Sequence, residues 1–287
     1  MVGNEQQQDL LEKYWAVLSS IAPTGRKLSP ADACALVPVL RPERVMGAVY
    51  EPDAFDIDVH ALHQGYLRVM RQAGGSLVCN AEVRAIERSQ AMWAVHAGDA
   101  VYRAPVLVNA AGAWVDVVAR LAGVAPIGIA PKRRSAFMFA PSPGVDVRGW
   151  PMLMGADEDW YIKPDAGMLL GSPANADLVE PQDIQPEELD IALAIDRIEE
   201  MTTLTIRRPT RVWAGLRSFV ADGNLVGGYD ETVADFFWVA AQGGYGIQSS
   251  AAMGEACAAL ARGLATPQRI ADFGLSADIL SPARLRR

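Results

Sequence analysis

One segment, residues 236–262, restricts the fold more than any other part of the chain. It begins with the apolar run FFWVA, reaches glycines at 243, 244 and 246, and continues with apolar residues at three- and four-residue spacing up to Gly263. The apolar run predicts a buried strand that ends at a tight turn, and the later spacing predicts an amphipathic helix with a glycine stop. We therefore expect a strand, a glycine turn and a helix.

The glycine turn has a chemical use, because the first turn of a helix exposes backbone N–H groups at the positive end of the helix dipole. Gly243, Gly244 and Gly246 carry no Cβ, so a ligand can approach the backbone closely. The alternative is that these glycines only allow the helix to pack on the strand. A dinucleotide fingerprint needs a following strand with an acidic residue, and none is predicted after Gly263. We expect the turn to close a ligand site.

A second unit of the same kind is predicted earlier in the chain. The apolar strand at residues 106–109 enters the small-residue turn Ala-Ala-Gly-Ala-Trp, and a helix follows with Val117, Val118 and Leu121 facing inward before Gly123. Two such units predict a layered α/β domain with a ligand at the ends of its strands.

Residues 126–219 differ in composition from the rest of the chain. They are rich in proline, tryptophan and short β patterns, with one helical stretch at 186–203. This pattern predicts an inserted β-rich subdomain that faces a substrate. Asp222-Gly223 then predicts a hairpin turn. Before the first α/β unit, we expect helices from Leu10 to Ile21 and after Ser29, a helix capped by Asp58, and short strands from Ser76 to Asn109.

Composition narrows the function class. The chain has 287 residues, is 51% hydrophobic and carries a net charge of −8 without a basic stripe, which argues against a nucleic-acid or membrane partner. No signal peptide or transmembrane segment is evident, and the cysteines at 34, 79 and 257 lack metal-binding spacing, so we expect buried thiols in a cytoplasmic protein. His60 and His63 read as a helix surface pair, and no metal site is expected.

A few side chains suit the binding of a small carboxylate. Arg217 lies in an apolar strand, where its guanidinium should either pair internally or hold a ligand carboxylate. Tyr161 needs a partner for its hydroxyl, most simply backbone, and Met152 and Met154 alternate along a strand as core or pocket wall. A basic run such as the one at residues 132–134 is usually solvated.

Four separated motifs together resemble the D-amino acid oxidase superfamily of FAD-dependent oxidoreductases, and within it the D-amino acid dehydrogenases that include D-arginine dehydrogenase. The motifs are VLVNAAGAW at 106–114, PKRR at 131–134, GLRSFVADGN at 215–224 and AQGGYGIQ at 241–248. The resemblance covers nearly the whole chain. It implies FAD as cofactor and hydride transfer from the Cα of a D-amino acid to flavin N5, which gives a 2-oxo acid and ammonia.

The same resemblance implies residue roles. Arg217 and Tyr161 would grip the substrate carboxylate and Arg134 would lie near the flavin, while Met152, Met154, Gly244 and Gln248 would border the substrate. The dipole of a helix starting near Ser249 would face the flavin. The residues implied to contact FAD are Val83, Ala111, Gly112, Trp114, Gly243, Gly244, Tyr245, Gly246, Ile247 and Gln248.

The implied architecture is an incomplete Rossmann-like FAD domain (51–125 and 220–287) with an inserted antiparallel substrate domain (20–50 and 126–219), after an N-terminal helix (1–19). The family's N-terminal βαβ unit with G-x-G-x-x-G is not found in the sequence, so we expect an N-terminally truncated form. Two alternative functions stay open: a sarcosine- or glycine-oxidase-like amine oxidase, and a non-catalytic remnant or accessory subunit. Assembly as a homodimer is also left open. The electron acceptor is not determined.

Overall fold

The computed structural model describes residues 1–286 and shows a mixed α/β architecture with several antiparallel sheets. The strands are β1 Val2–Gly3, β2 Arg26–Leu28, β3 Gly47–Tyr50, β4 Val83–Ser89, β5 Met92–Ala97, β6 Ala100–Ala104, β7 Leu107–Asn109, β8 Ala130–Phe139, β9 Leu153–Met154, β10 Tyr161–Asp165, β11 Met168–Ser172, β12 Asp177–Leu178, β13 Arg211–Phe219, β14 Val226–Tyr229 and β15 Phe236–Ala240. The α-helices are α1 Gln8–Ile21, α2 Pro30–Leu36, α3 Val59–Gln72, α4 Val115–Leu121, α5 Glu188–Met201, α6 Gly246–Ala261, α7 Gln268–Ala271 and α8 Ala277–Leu280. Among the described residues, no helix is both long enough and apolar enough to cross a membrane.

The chain divides into two compact units. Unit 1 contains Met1–Phe55, Arg133–Asp177 and Asp183–Leu216, and unit 2 contains Asp56–Lys132, Leu178–Gln182 and Arg217–Arg287. The cofactor and substrate roles that the resemblance gives to parts of these ranges stay predictions.

Unit 1 is built on a sheet whose strands run in the order β12-β8-β11-β10-β9, with β13 beside β8. One face is apolar, and Phe137, Ile162 and Leu169 are at most 1% exposed there. This face packs with Ile191 and Ile198 of α5 in one core cluster. Because side chains alternate between the two faces of a strand, the neighbouring residues of β8, β10 and β11 lie on the opposite face.

A second, smaller sheet of unit 1 has the order β1-β3-β2 and packs on α1. Leu11 and Leu18 of α1 are buried with Val49 of β3. The expectation that the chain starts in a helix was wrong, because Val2 forms β1, pairs with Ala48 and is fully buried. Two residues are too short a run for a periodic pattern to show in the sequence.

The centre of unit 2 is a sheet of order β14-β15-β7. Phe236 and Trp238 of β15 pack on one side with Val115 of α4, whereas Phe237 packs on the other side with Met253 of α6. All three β15 side chains are fully buried, because helices cover both faces of the strand. The predicted strand and helix at residues 236–262 are thus confirmed.

Several local predictions for unit 2 were wrong. Of the three residues expected to face inward, Val118 packs against the core, but Val117 and Leu121 are exposed. The buried residues of α4 are Val115, Asp116 and Ala119. Asp116 is buried because its carboxylate accepts hydrogen bonds from the backbone amides of residues 127–129 at 2.8–3.0 Å, which offsets the cost of burying a charge.

Two other expected β features are absent from the described residues. Residues 76–80 form no strand, because no neighbouring strand pairs with them. Asp222 and Gly223 do form a turn, with Gly223 at a φ of +73°. That turn is not a hairpin, since β13 pairs with β8 and β14 pairs with β15.

The cysteines divide by burial. Cys257 is buried, and burial raises the pKa of its thiol to about 11, which suits an inert core residue. Cys34 is half-buried, but Cys79 is exposed in the unpaired segment that contains it, so the expectation of three buried thiols was wrong there.

Candidate functional site

The two predicted turns lie at the same edge of one sheet. Strands β7 and β15 are parallel neighbours, with Phe236 opposite Leu107 and Trp238 opposite Asn109. The turns that follow these strands therefore leave the sheet at its carboxyl-terminal edge, next to one another. In parallel α/β sheets this edge is where ligands bind. We call it the turn edge.

The Gly243–Gly244 turn rests directly on strand β13. The Gly243 amide donates to the carbonyl of Ser218 at 2.9 Å, and Gly243 has a φ of +53°, which favours glycine. A Cβ on Gly243 would lie 2.9 Å from Cε1 of Phe219, and a Cβ on Gly244 would lie 3.1 Å from Nη1 of Arg217. The turn thus needs glycine for its packing against β13, and that same packing brings the Arg217 guanidinium to the turn.

Helix α6 starts at Gly246, three residues before the expected start near Ser249. Tyr245 precedes it without a side-chain capping bond, so the exposed first turn offers its amides to a ligand or to water. Ile247 and Tyr245 are 48% and 58% exposed, and Gln248 is also exposed.

Arg217 is half-buried, and among residues 1–286 it has no carboxylate within ion-pair distance and no hydrogen-bond acceptor. Two carboxylates of unit 2 are paired with other arginines. Asp222 binds Arg284 at 2.7 Å, and Asp230 binds Arg286 at 2.8 Å. The internal salt bridge that would have explained Arg217 is therefore not present in the described part of the chain, and a ligand carboxylate would satisfy the guanidinium.

The other turn of the turn edge is ordered by Asn109. Its side-chain amide donates to the carbonyl of Val115 at 2.8 Å and its oxygen accepts from the Ala111 amide at 3.4 Å. Gly112 has a φ of +58°, and a Cβ there would meet only open space. Trp114 is 42% exposed. Val83 of β4 is half-buried and packs against the same core cluster as Ala111.

In unit 1, the sheet face opposite the core gathers the other predicted residues. Tyr161 of β10 lies directly opposite Met154 of β9, while Leu153 and Ile162 point to the core. The hydroxyl of Tyr161 has no hydrogen-bond partner among the described residues, so the backbone partner considered above is not found. Met152 lies just outside β9 and is 48% exposed.

The basic run at residues 132–134 is not a solvated run. Arg133 points to the core side of β8, where its side chain is 9% exposed and forms ion pairs with Asp177, Glu187 and Asp190. Arg134 lies on the opposite face of the strand, half-buried, and its Nε donates to the carbonyl of Asn175 at 2.6 Å. Alternation along β8 therefore gives two neighbouring arginines different environments.

The structure thus groups the predicted residues in two places. In unit 2, Arg217 lies next to the glycines at 243 and 244, and the turn at residues 110–114 lies at the same turn edge. Unit 1 joins Tyr161 with Met154 on one sheet face, which also carries Arg134. Sequence reasoning missed Phe219, although its position two residues after Arg217 in a strand predicts that both side chains share a face.

Unit 1 also contains two cavities, of about 560 and 390 Å³. They are lined by polar residues that include Asn4, Gln6 and Glu200, and none of the predicted site residues lines either one. Among the described residues, no group of three or more histidine, cysteine or acidic side chains is placed to hold a metal ion.

Solved structures identify the class of fold. The chain is similar to L-proline dehydrogenase from P. horikoshii, at 19% identity and a TM-score of 0.81 over 100% of this chain and 75% of that one. It is similar to glycine oxidase from Geobacillus kaustophilus, at 18% identity and a TM-score of 0.72 over 91% and 69%. It is also similar to L-α-glycerophosphate oxidase from Mycoplasma pneumoniae with FAD bound, at 19% identity and a TM-score of 0.78 over 90% and 71%. The fold is that of a class of oxidoreductases.

The family model for FAD dependent oxidoreductases matches residues 1–260. The chain belongs to this family, and its cofactor is FAD. The described residues fit such a ligand at the turn edge: Gly112 leaves open space where a Cβ would stand, the first turn of α6 has no side-chain cap, and Trp114 and Tyr245 expose aromatic surface there.

Proposed function

We propose that the protein oxidises D-amino acids to 2-oxo acids and ammonia, with Arg217 binding the substrate carboxylate. The observation that carries the proposal is the half-buried guanidinium of Arg217, which touches the Gly244 turn and has no carboxylate partner among the described residues. A planar guanidinium forms two parallel hydrogen bonds with a carboxylate, which fixes the ligand's orientation as well as its position.

The turn edge supplies the cofactor site in this proposal. The residues proposed to hold FAD are Val83, Ala111, Gly112, Trp114, Gly243, Gly244, Tyr245, Gly246, Ile247 and Gln248. When bound, FAD supplies the acceptor for two electrons and a proton. The amides at the start of α6 stabilise negative charge through the helix dipole. Arg217 holds the amino acid in one orientation, which lowers the entropic barrier to reaction.

The residues of unit 1 have proposed roles as well. The Tyr161 hydroxyl, which lacks a partner in the described structure, is proposed as a donor to the substrate carboxylate. Met154 and Met152 are proposed to line the substrate side-chain pocket, since methionine adapts to irregular apolar groups. Arg134 is proposed to lie near the flavin. The preference for basic substrates such as D-arginine rests on the motif resemblance alone.

The proposal is tested by dye reduction with purified, FAD-loaded protein. D-Arginine, D-lysine and D-alanine should be oxidised, whereas L-alanine, glycine and sarcosine should not. Arg217→Met should lower kcat/KM by about a hundredfold or more, because a half-buried, charge-assisted pair with the substrate is lost. Arg217→Lys should recover only part of the lost activity. Oxidation of sarcosine or glycine in preference to D-amino acids would instead support the amine oxidase alternative.

A second candidate, a subunit that functions only with a partner polypeptide, is favoured by helix α3. Fourteen residues form this amphipathic helix with Asp58 as its cap, yet none of them is buried. Val59, Tyr66 and Val69 are 46%, 47% and 64% exposed. Isolated helices of this length are marginal in water, so a covering partner would stabilise α3. Purified protein that is monomeric, retains FAD and oxidises substrate would exclude this candidate.

A further inference from the structure

Lys132 is another cation of unit 2 that has no counter-charge in the part of the chain that the structure describes. It is half-buried in β8, and its Nζ lies 5.1 Å from the centroid of the Phe219 ring. Among residues 1–286, no carboxylate lies within ion-pair distance of this ammonium group. A contact with an aromatic face does not neutralise the ammonium charge, so Lys132 can still attract an anion.

The Phe219 ring connects Lys132 to the glycine turn. Its Cε1 lies 2.9 Å from the position of a Cβ on Gly243, so the ring packs directly against the backbone of the turn. Arg217 and Phe219 are two residues apart in β13 and therefore share one face of that strand. The guanidinium of Arg217 thus contacts the Gly243–Gly244 turn directly, and the ammonium of Lys132 is connected to the turn through the Phe219 ring.

This arrangement is electrostatically one-sided. Arg217 lies at Gly244, Lys132 lies on the ring that packs against Gly243, and the positive end of α6 follows the same turn. Two carboxylates of unit 2, at positions 222 and 230, are paired with arginines 284 and 286. Like charges repel one another, whereas an anion bound at the turn is attracted by both cations and by the helix dipole. The site therefore favours an anionic ligand beyond what Arg217 alone would supply.

We propose that Lys132 determines the affinity and charge selectivity of this site by adding a second positive charge behind the carboxylate that Arg217 binds. The inference rests on the proposed function, since it needs the carboxylate at Arg217. Lys132 acts through space and through the Phe219 ring, not as a direct ligand, so its charge matters more than the shape of its side chain.

The test measures binding of benzoate, a simple monocarboxylate, to the purified FAD-loaded protein by isothermal titration calorimetry. Lys132→Met should weaken benzoate binding by about three- to tenfold, as expected for one unit charge at intermediate distance in a partly screened site. Lys132→Arg keeps the charge and should bind within about twofold of the unmodified protein. Raising the salt concentration should narrow the difference between the unmodified protein and Lys132→Met.

Two controls and one replacement variant separate the outcomes. Lys13 is exposed on α1, and Lys13→Met should leave the benzoate affinity unchanged. Arg217→Met should abolish benzoate binding. Should Lys132→Met fail to fold by thermal melting, Lys132→Gln takes its place. Unchanged binding in Lys132→Met, or equal weakening in Lys132→Arg, overturns the role of Lys132 alone. Absence of benzoate binding to the unmodified protein overturns this inference and the carboxylate site of the proposed function together.

Discussion

The Nη1 atom of Arg217 lies 3.1 Å from the position that a Cβ would take on Gly244, closer than ordinary van der Waals contact. The Arg217 side chain can therefore take this position because Gly244 has no side chain. The backbone of Gly244 does not have a positive φ, so an alanine there would be opposed by the guanidinium and not by backbone strain.

Gly244→Ala should therefore displace the Arg217 guanidinium by a few tenths of an ångström and weaken carboxylate binding by about tenfold, because such sites depend on close positioning. Benzoate titration measures this change. Gly254→Ala is the matched control: it lies within α6, a Cβ there meets nothing within 4 Å, and alanine should stabilise the helix by up to about 1 kcal/mol. Equal benzoate affinities for the two variants would contradict the contact as the cause.

Tyr161→Phe should lower kcat/KM for D-amino acids by about tenfold, because one hydrogen bond to a charged group is lost. The stability of the variant should be almost unchanged, since the hydroxyl has no partner in the described structure. Met154→Leu, at the residue opposite Tyr161, keeps volume and should mainly alter the preference among side chains. A Tyr161→Phe variant with full activity would remove this residue from the proposed carboxylate site.

Asp230→Asn should destabilise the protein at neutral pH by about 3–5 kcal/mol, because it leaves Arg286 partly buried beside a neutral amide. Burial acts to raise the pKa of Asp230, but hydrogen bonds from Arg286, Trp238 and Thr232 outweigh it and hold the pKa well below its usual range. A carboxyl group whose pKa is lowered by folding contributes stability above its unfolded pKa of about 4 and loses it at lower pH.

Urea unfolding of Asp230→Asn and the unmodified protein at several pH values measures this linkage. The stability difference should be full at pH 7 and shrink as the pH falls below about 4. Asp235→Asn provides the control, since its pair with Arg88 is 30–42% exposed and should matter by about 1 kcal/mol or less. A pH-independent difference would show that lost packing, and not the carboxylate charge, explains the effect.

Arg133→Met should cost about 3–5 kcal/mol, because it leaves the carboxylates of Asp177, Glu187 and Asp190 near one another without their shared cation. Thermal melting or urea unfolding measures the loss. Arg148→Met removes a fully exposed arginine paired with Asp146 and should have no measurable effect. If Arg133→Met and Arg148→Met have the same melting temperature, the ion-pair cluster around Arg133 contributes little to the stability of unit 1.

The sequence predicted the elements with long or strongly marked patterns. Residues 236–262, the capped helix at Asp58 and the β-rich middle of the chain all showed their periods or caps clearly. Short or unpaired segments were predicted poorly. The two residues of β1 carry no period, and the apolar residues 76–80 have a strand pattern but no strand to pair with. Strand formation depends on a partner that a local pattern does not show.

The candidate site follows the same division. Local patterns identified Arg217, Tyr161 and the glycines, because charge in an apolar strand and glycine before a helix are local features. The environments of the side chains at residues 132–134 were not predictable from local patterns. Whether each basic side chain of the run meets a carboxylate cluster, a backbone carbonyl or an aromatic ring depends on the strands that pack beside β8.

The sequence by itself determined that this protein has a glycine turn between a buried strand and a helix, with an arginine in a nearby strand, since residue type and spacing fix local backbone conformation. Only the tertiary structure decided that the turn rests on Arg217 and Phe219 and that the second turn lies at the same sheet edge. It also decided that Arg217 and Lys132 find no carboxylate partner among residues 1–286. Those relations join residues far apart in the chain, and their energies depend on distances that exist only after the strands pair and the helices pack.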